Sequence, residues 1–214
     1  MFSKQVWHDR KHQAEVFVNE EGVVSGAIIS FRKGICLVNP RPEILIALYQ
    51  EAKIKRILSI NAVVLTDSSP EFVRGLCTLI GYSRELRRKK PLKVFVNAVG
   101  RLSPMFVNSC CAQLMSRQSL FDLKINAVPP GKSFEVGDAE LRFRLMQRNS
   151  AQRANPMLEV ETTDRLLHFY DESFTDELDL YADPSQRQPD IAIRSVQLSQ
   201  FRQILKPEGR VVRV

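Results

Sequence analysis

The stretch AVVLTDSSPEFVRGL, residues 62–76, runs from an apolar strand through a polar hinge into an apolar helix. Its first five residues, AVVLT, predict a fully buried strand of the parallel type. Ser69 before Pro70 predicts a helix N-cap with proline at the first helical position. Alternatively, Ser68 caps the helix and Glu71 reaches back to form a capping box. In both cases the hinge starts a helix.

The polar residues of the hinge therefore have local roles that need no catalysis. Asp67 and Glu71 both suit the positive end of a helix dipole. A strand that ends at a helix N-terminus is also where α/β sheets place their ligand sites, and the exposed amides there can hold an anion. The hinge is thus an ordinary cap, or a cap that also lies at the mouth of a pocket.

The rest of the chain predicts a mixed α/β pattern in one domain over residues 1–214, since no proline- or glycine-rich linker divides it. Strands are predicted at 15–18, 27–31, 35–38, 62–66, 92–97, 133–137, 139–147, 157–162, 165–170 and 189–193. Helices are predicted at 43–54, from the hinge to just before Pro91, at 104–116 and at 196–205. Residues 27–38 are predicted to form one hairpin around the turn RKG.

Composition fits a soluble globular protein, and its charge favours an anionic partner, with a solvated basic surface as the alternative. Hydrophobic residues make up 44%, the net charge is +7 and the pI is near 9.4. No apolar run approaches the roughly 20 residues that span a bilayer, and the N-terminus lacks the apolar core of a signal peptide. We therefore expect a cytoplasmic protein. Its cysteines, Cys36, Cys77, Cys110 and Cys111, form no C-x-x-C pair and are expected to be small, mostly buried thiols.

The segment from ICLVN (35–39) to KKPLKVFV (89–96) resembles the metallo-β-lactamase fold, above all its ribonuclease Z-like branch. Members of that branch have a strand closed by aspartate, a helix, and a strand followed by T-H-x-H-x-D-H-x-x-G-L. A basic segment then leads into P-L-x-(I/V)-(F/Y). Thr66, Gly75 and Leu76 match this pattern. The resemblance implies a four-layer αββα sandwich with mixed sheets and, in the family, a di-zinc hydrolase centre.

Most metal ligands that the resemblance implies are replaced in this chain. Asp67, Ser69, Glu71 and Phe72 stand, in that order, where the family has two histidines, an aspartate and a third histidine. Asn39 replaces the aspartate that closes the earlier strand, and Gln147 or Arg148 falls near the next histidine. Asp171 alone matches, at the aspartate of a later G-D-T segment. The resemblance thus implies a degenerate pocket of Asn39, Asp67, Ser69, Glu71, Phe72, Arg148 and Asp171.

These replacements do not suit zinc, whose catalytic sites use three protein ligands, mostly imidazole, and an activated water. Serine is a poor ligand, phenylalanine cannot bind a metal, and arginine would repel a cation. The chain has only His8, His12 and His168. His8 and His12 have the i, i+4 spacing of a helical metal site but no third ligand, so they are expected to be solvated. No metal or other cofactor is therefore expected.

Two groups of basic residues are candidates for anion binding. The first ends the helix that follows the hinge and consists of Arg84, Arg87, Arg88, Lys89 and Lys90. The second consists of Arg142, Arg144 and Arg153. Because Arg142 and Arg144 alternate with apolar residues, they are predicted to share one face of a strand. A solvated helix end that favours cations is the competing explanation for the first group.

Together these observations predict a catalytically inactive metallo-β-lactamase-fold protein that acts as a binding, regulatory or assembly subunit. Nucleic acid, a nucleotide, another protein or a second copy of the chain is the expected partner, and a membrane is not. The alternative is a phosphodiesterase or nuclease that holds Mg²⁺ or Mn²⁺ on Asp67, Glu71 and Asp171. The nucleotide and hydrolase motifs G-x-x-x-x-G-K-[ST], G-x-G-x-x-G and G-x-S-x-G are absent.

Overall fold

Two β-sheets packed face to face, with helices covering one of them, form the architecture of the computed structural model. The structure describes residues 3–8, 12–20, 24–50, 53–66, 69–99, 104–115, 121–148, 151–161, 166–170 and 191–194. None of the helices among these residues is long and apolar enough to cross a bilayer.

Among the described residues, the first sheet, sheet A, has seven strands in chain order, and the second, sheet B, has five in reverse chain order. Sheet A contains β1 (Ser3–His8), β2 (Gln13–Val18), β3 (Val24–Phe31), β4 (Gly34–Val38), β5 (Ala62–Leu65), β6 (Leu92–Asn97) and β7 (Leu123–Val128). Sheet B contains β8 (Ser133–Val136), β9 (Ala139–Arg148), β10 (Ala151–Glu161), β11 (Leu166–Tyr170) and β12 (Ile191–Arg194). The helices are α1 (Pro42–Gln50), α2 (Ile54–Ser59), α3 (Pro70–Glu85) and α4 (Pro104–Leu114).

The strand pairing in sheet A changes from antiparallel to parallel at β4. The carboxyl ends of the parallel strands form the edge where a ligand site is expected. Strands β1 to β4 pair antiparallel, whereas β4 to β7 pair parallel, so four carboxyl ends meet at one edge. All four residues of β5 are buried, since helices cover one face and sheet B covers the other. Sheet B is antiparallel except for the pair β11 and β12.

Two apolar clusters hold the layers together, one on each face of sheet A. Between the sheets, Ile29, Val64 and Phe95 of sheet A pack with Leu141 and Phe143 of sheet B. On the other face, the helices contribute among others Leu45, Ile57, Leu76, Ile80 and Val107 to a second cluster. The apolar residues of α3 thus lie on one buried side of the helix, as their spacing predicts.

The predicted mixed α/β class is confirmed, and most predicted elements are found. The hairpin around RKG pairs Phe31 with Gly34, and Gly137, with φ of +67°, turns β8 into β9. The helix predicted over 43–54 is only partly found: α1 is described to Gln50, and Lys53 is the N-cap of a second helix, α2. Strands β1 and β7 were not predicted. Both are edge strands of sheet A. In β7, Leu123 to Asn126 alternate apolar and polar residues, so its strand signal is present in the sequence.

The described residues supply three layers: helices, sheet A and sheet B. The helix predicted at 196–205, on the polypeptide that follows β12, lies outside the described residues. The single domain over 1–214 and the cytoplasmic location stay predictions.

Candidate functional site

Asn39 and Thr66 link the carboxyl ends of β4 and β5 through paired hydrogen bonds. The Asn39 side-chain nitrogen donates to Thr66 Oγ1 at 2.7 Å, and the Thr66 backbone N–H donates to Asn39 Oδ1 at 2.9 Å. Asn39 has a φ of +45°, a left-handed conformation that asparagine tolerates better than most residues. Its own backbone N–H donates to the carbonyl of Val64 at 2.9 Å. Asn39 is therefore held as a connector between two strands.

Asn97 extends this link to β6. Its side-chain nitrogen donates to the Thr66 carbonyl at 3.2 Å, and its Oδ1 accepts from the Val99 backbone N–H at 3.1 Å. Both Thr66 and Asn97 are fully buried. We call Asn39, Thr66 and Asn97 the amide network. Asn97 was missed in the sequence, although ICLVN and LKVFVN end in the same way: an apolar strand closed by asparagine.

The hinge enters α3 as predicted, with Ser69 at the N-cap and Pro70 at the first helical position. The Ser69 side chain makes no capping hydrogen bond, and its carbonyl instead accepts from the N–H groups of Phe72 and Val73 at 3.1 Å. Glu71 is exposed on the first turn of α3. Phe72 is 3% exposed and packs in the cluster between the helices and sheet A. Its ring therefore belongs to the core, on the helix side.

The described side chains at this edge do not fit a zinc ion. The Asn39 amide is engaged by Thr66 through both its oxygen and its nitrogen. Phe72 is packed away in the core, and a serine hydroxyl such as that of Ser69 is a poor ligand. Over the described ranges, no three His, Cys, Asp or Glu side chains come together as a metal site requires. Asp67 and Asp171 lie outside those ranges.

For the candidate residues near the position of the family's fourth histidine, the structure describes the backbone alone. Gln147 and Arg148 end β9, and Arg153 lies in β10 where the register of the two strands shifts. Their side chains are outside the described part. Arg148 and Arg153 therefore stay predictions.

Arg88 is a structural residue, which corrects its interpretation as a phosphate contact. Its side chain is 2% exposed. Its guanidinium donates to five backbone carbonyls at 2.5 to 3.5 Å, those of Ile57, Leu58, Ile60, Lys90 and Pro91. Five N–H groups are all that a guanidinium has. Burial lowers the pKa of Arg88, but these carbonyls stabilise its charge. It thereby joins the end of α2 to the turn before β6.

The other four residues of the first basic group are on the surface. Arg84, Arg87, Lys89 and Lys90 are all exposed. Arg84 donates to the carbonyl of Leu114 at 2.6 Å, which ties α3 to the end of α4. Arg87 has a φ of +52° in the turn that follows α3. The turn built around Arg88 therefore presents three cations, Arg87, Lys89 and Lys90, to solvent.

Arg142 and Arg144 share a strand face, as predicted, but carboxylates neutralise much of their charge. Arg142 contacts Glu140 at 2.9 Å and Glu159 at 3.3 Å, and Arg144 contacts Glu159 at 3.2 Å. Phe143 between them is fully buried. The paired charges make this face of sheet B a weaker candidate for an anion than the turn after α3.

The histidines do not form the helical pair that their spacing allows. His8 ends β1 and pairs across the hairpin with Gln13. His12 is 5% exposed, so it is buried rather than solvated, and its ring lies edge-on to Phe31 with centroids 6.3 Å apart. The expectation of a solvated His12 was wrong, because the residue lies just before β2 and its ring packs against Phe31 of β3.

The cysteines are free thiols, as expected, and two of them touch across helices. Cys36 and Cys111 are buried, while Cys77 and Cys110 are half-buried. Burial raises the pKa of Cys36. Cys77 on α3 and Cys111 on α4 share a hydrogen bond, which lowers the pKa of Cys77 to about 7 and raises that of Cys111. The half-buried sulfur of Cys77 is the better place for the shared negative charge because water still reaches it.

Iodoacetamide is expected to label Cys77 faster than Cys36 or Cys111 in the folded protein. The thiolate is the reactive form, so the Cys77 rate should rise with pH through about 7. Peptide mass spectrometry over a pH series measures this. In Cys111→Ala the hydrogen bond to Cys77 is lost, so the midpoint of the Cys77 rate profile should move to higher pH. A Cys77 rate profile identical in Cys111→Ala and the original chain would contradict this assignment.

Comparison with known proteins supports the architecture. No protein-family model matches the chain, and no curated protein matches it. Similar solved structures include the metallo-beta-lactamase fold protein YhfI from Bacillus subtilis, with TM-score 0.58, 12% identity, and coverage of 86% of this chain and 70% of that one. The apo chemotaxis sensor ODP from T. denticola has TM-score 0.53, 14% identity, and coverage of 83% and 68%.

A third similar structure is Zn(2+)-bound PqqB from Methylobacterium extorquens, with TM-score 0.55, 17% identity and coverage of 81% of this chain. The present chain spans 57% of the length of PqqB. At such low identities the shared property is the fold. The chain therefore has the metallo-β-lactamase fold.

Proposed function

We propose that this protein is a non-hydrolytic member of its fold, which binds an anionic partner and acts as a regulatory or assembly subunit. The observation that carries the proposal is the amide network. Neutral amide and hydroxyl groups join the carboxyl ends of β4, β5 and β6, the sheet edge at which α/β folds place their ligands.

The chemistry of the network argues against metal-dependent hydrolysis. A zinc hydrolase needs anionic or imidazole ligands that lower the pKa of a bound water. Asn39 and Asn97 are neutral, and their amides already bond to Thr66 and the neighbouring backbone. A network that satisfies its own buried polar groups is stable without an ion. The edge is therefore suited to holding strands together.

Charge supports an anionic partner. The chain has a net charge of +7, and the turn after α3 carries exposed cations. One protein of the same fold, ODP, is a chemotaxis sensor, so the fold is compatible with recognition as a task.

The alternative is a Mg²⁺- or Mn²⁺-dependent phosphodiesterase using Asp67, Glu71 and Asp171. One observation favours it: Glu71 is exposed on the first turn of α3, next to the carboxyl edge of sheet A. A single exposed carboxylate at a helix N-terminus is equally well explained by the helix dipole.

Metal analysis and an activity assay on one preparation separate the two functions. The full chain, purified without chelator, is expected to contain far less than one equivalent of zinc, magnesium or manganese. Hydrolysis of bis(p-nitrophenyl) phosphate should stay at the rate of a protein-free control, with or without added Zn²⁺, Mg²⁺ or Mn²⁺.

Glu71→Gln and Asp67→Asn are matched variants for this assay, since each removes one carboxylate and keeps the side-chain size. Neither should change the result. Stoichiometric metal together with hydrolysis that Asp67→Asn abolishes would establish the phosphodiesterase and end the present proposal.

A further inference from the structure

The amino ends of the parallel strands of sheet A carry a second, cationic surface. Leu92, which begins β6, donates its N–H to the carbonyl of Asp122 at 2.8 Å, and Lys93 donates to that of Asn61 at 3.1 Å. These bonds place the turn after α3 beside the starts of β5 and β7. Arg87, Lys89, Lys90, Lys93 and Lys124 are exposed there, and we call them the basic edge.

Two of these lysines stand directly beside each other. Lys93 on β6 and Lys124 on β7 are register partners in the parallel pair. Neighbouring strands lie about 5 Å apart, and like charges at opposed positions are destabilising. The exposed pair formed by Lys124 with Asp122, at 3.3 Å, offsets one charge. Within the part of the chain that the structure describes, Arg87, Lys89, Lys90 and Lys93 form no ion pair.

Buried Arg88 holds the backbone from which three residues of the basic edge extend. Arg88 is buried and its five hydrogen bonds hold the turn from which Arg87, Lys89 and Lys90 extend. Its charge adds to the positive potential without being exposed. The basic edge thus concentrates cations on a rigid base, whereas Arg142 and Arg144 on sheet B are paired with Glu140 and Glu159.

We propose that the basic edge binds the phosphate backbone of a duplex nucleic acid, independently of base sequence. This inference rests on the proposed function and names its partner and surface. Lysines on flexible stems contact phosphates as point charges, which positions a duplex but does not read bases.

Duplex is favoured over single strands because stacking platforms are buried. Binding of unpaired bases relies on exposed aromatic rings. The aromatic residues on the elements of the basic edge, Phe95 and Phe121, are 7% and 6% exposed. The Phe121 ring lies under the Arg88 guanidinium at 5.9 Å. The surface also lies at the opposite end of the strands from the amide network, so the degenerate pocket is not needed for this contact.

Salt dependence of duplex binding tests the proposal. Fluorescence anisotropy of the full chain with one labelled 20-base-pair duplex, as DNA and as RNA, is measured from about 50 to 200 mM salt. Each phosphate contact contributes a slope of about −0.9 in log affinity against log salt, so the four cations of the basic edge without an ion pair predict a slope of about −3 to −4.

Lys90→Gln combined with Lys93→Gln should make the slope shallower by about 2 and weaken binding about tenfold or more. Its matched control combines Arg74→Gln and Lys132→Gln. These are exposed cations on α3 and in the loop after β7, away from the basic edge. The control removes the same charge and should leave the slope within experimental error. Circular dichroism melts verify that both variants fold.

Three results would overturn the proposal: no duplex binding at about 50 mM salt, equal losses in the two double variants, or binding of a polyglutamate peptide in preference to the duplex. The last result would identify an acidic protein as the partner and leave the non-hydrolytic function standing. That function fails separately, through the metal and hydrolysis measurements.

Discussion

Gly75→Ala is expected to destabilise the protein by about 3 kcal/mol or more. This loss is a large fraction of the roughly 5 to 15 kcal/mol by which a typical domain is stable. A Cβ at Gly75 would lie 2.0 Å from the carbonyl oxygen and 2.6 Å from the carbonyl carbon of Pro40. Both atoms are backbone, just ahead of α1, so no side-chain rotation relieves the clash. Either α3 must move off sheet A or the turn before α1 must open.

Gly81→Ala provides the control, because it makes the same chemical change in the same helix. A Cβ there meets nothing within 4 Å. Alanine in an exposed helix interior should therefore stabilise the protein by about 0.5 to 1 kcal/mol. Urea denaturation followed by circular dichroism gives both values. Stabilities of the two variants within about 0.5 kcal/mol of each other would show that α3 and Pro40 do not meet as described.

Arg88→Met is expected to cost about 3 to 5 kcal/mol of unfolding free energy. Methionine retains much of the buried side-chain volume but offers no donor. Five carbonyls, including those of Ile57 and Ile60 in the interior, then lose their partner. An unsatisfied buried polar group costs about 1 to 3 kcal/mol. The total is less than five times this value because the turn before Leu92 can relax and let water reach some of the five carbonyls.

Two further variants make the Arg88 result specific. Arg88→Lys retains a charge but has three donors instead of five, so its stability should be intermediate. Arg87→Met changes an exposed neighbour of the same type and should stay within about 0.5 kcal/mol of the original chain. Urea denaturation of all three variants measures the differences. An Arg88→Met variant as stable as Arg87→Met would exclude the anchoring role.

The order of elements was predictable because most of them carry a strong local signal. The apolar run AVVLT, the Ser69-Pro70 start of α3 and the turn at Gly137 each depend on residues close in sequence, and all are found in the structure. The edge strand β7 was missed although its sequence carries a local signal. Leu123, Lys124, Ile125 and Asn126 alternate apolar and polar side chains, as a half-buried strand does.

The candidate site was predictable only in part. The sequence predicts side chains that do not suit zinc at Asn39, Ser69 and Phe72, because each can be judged one residue at a time. The amide network could not be predicted, because it joins Asn39 to Thr66 and Thr66 to Asn97, residues 27 and 31 positions apart in sequence.

The sequence by itself determined the alternation of strands and helices, the start of α3 and the chemical character of Asn39, Ser69 and Phe72, since each follows from a side chain or its near neighbours. Only the tertiary structure decided which cations are available to a partner. In RELRRKK, Arg87 and Arg88 are adjacent and chemically identical, yet one is exposed and the other is buried beneath the carbonyl groups of α2. The physical reason is that a guanidinium is buried only where another segment supplies acceptors for its N–H groups. A contact between segments distant in sequence leaves no pattern in the residues around Arg88.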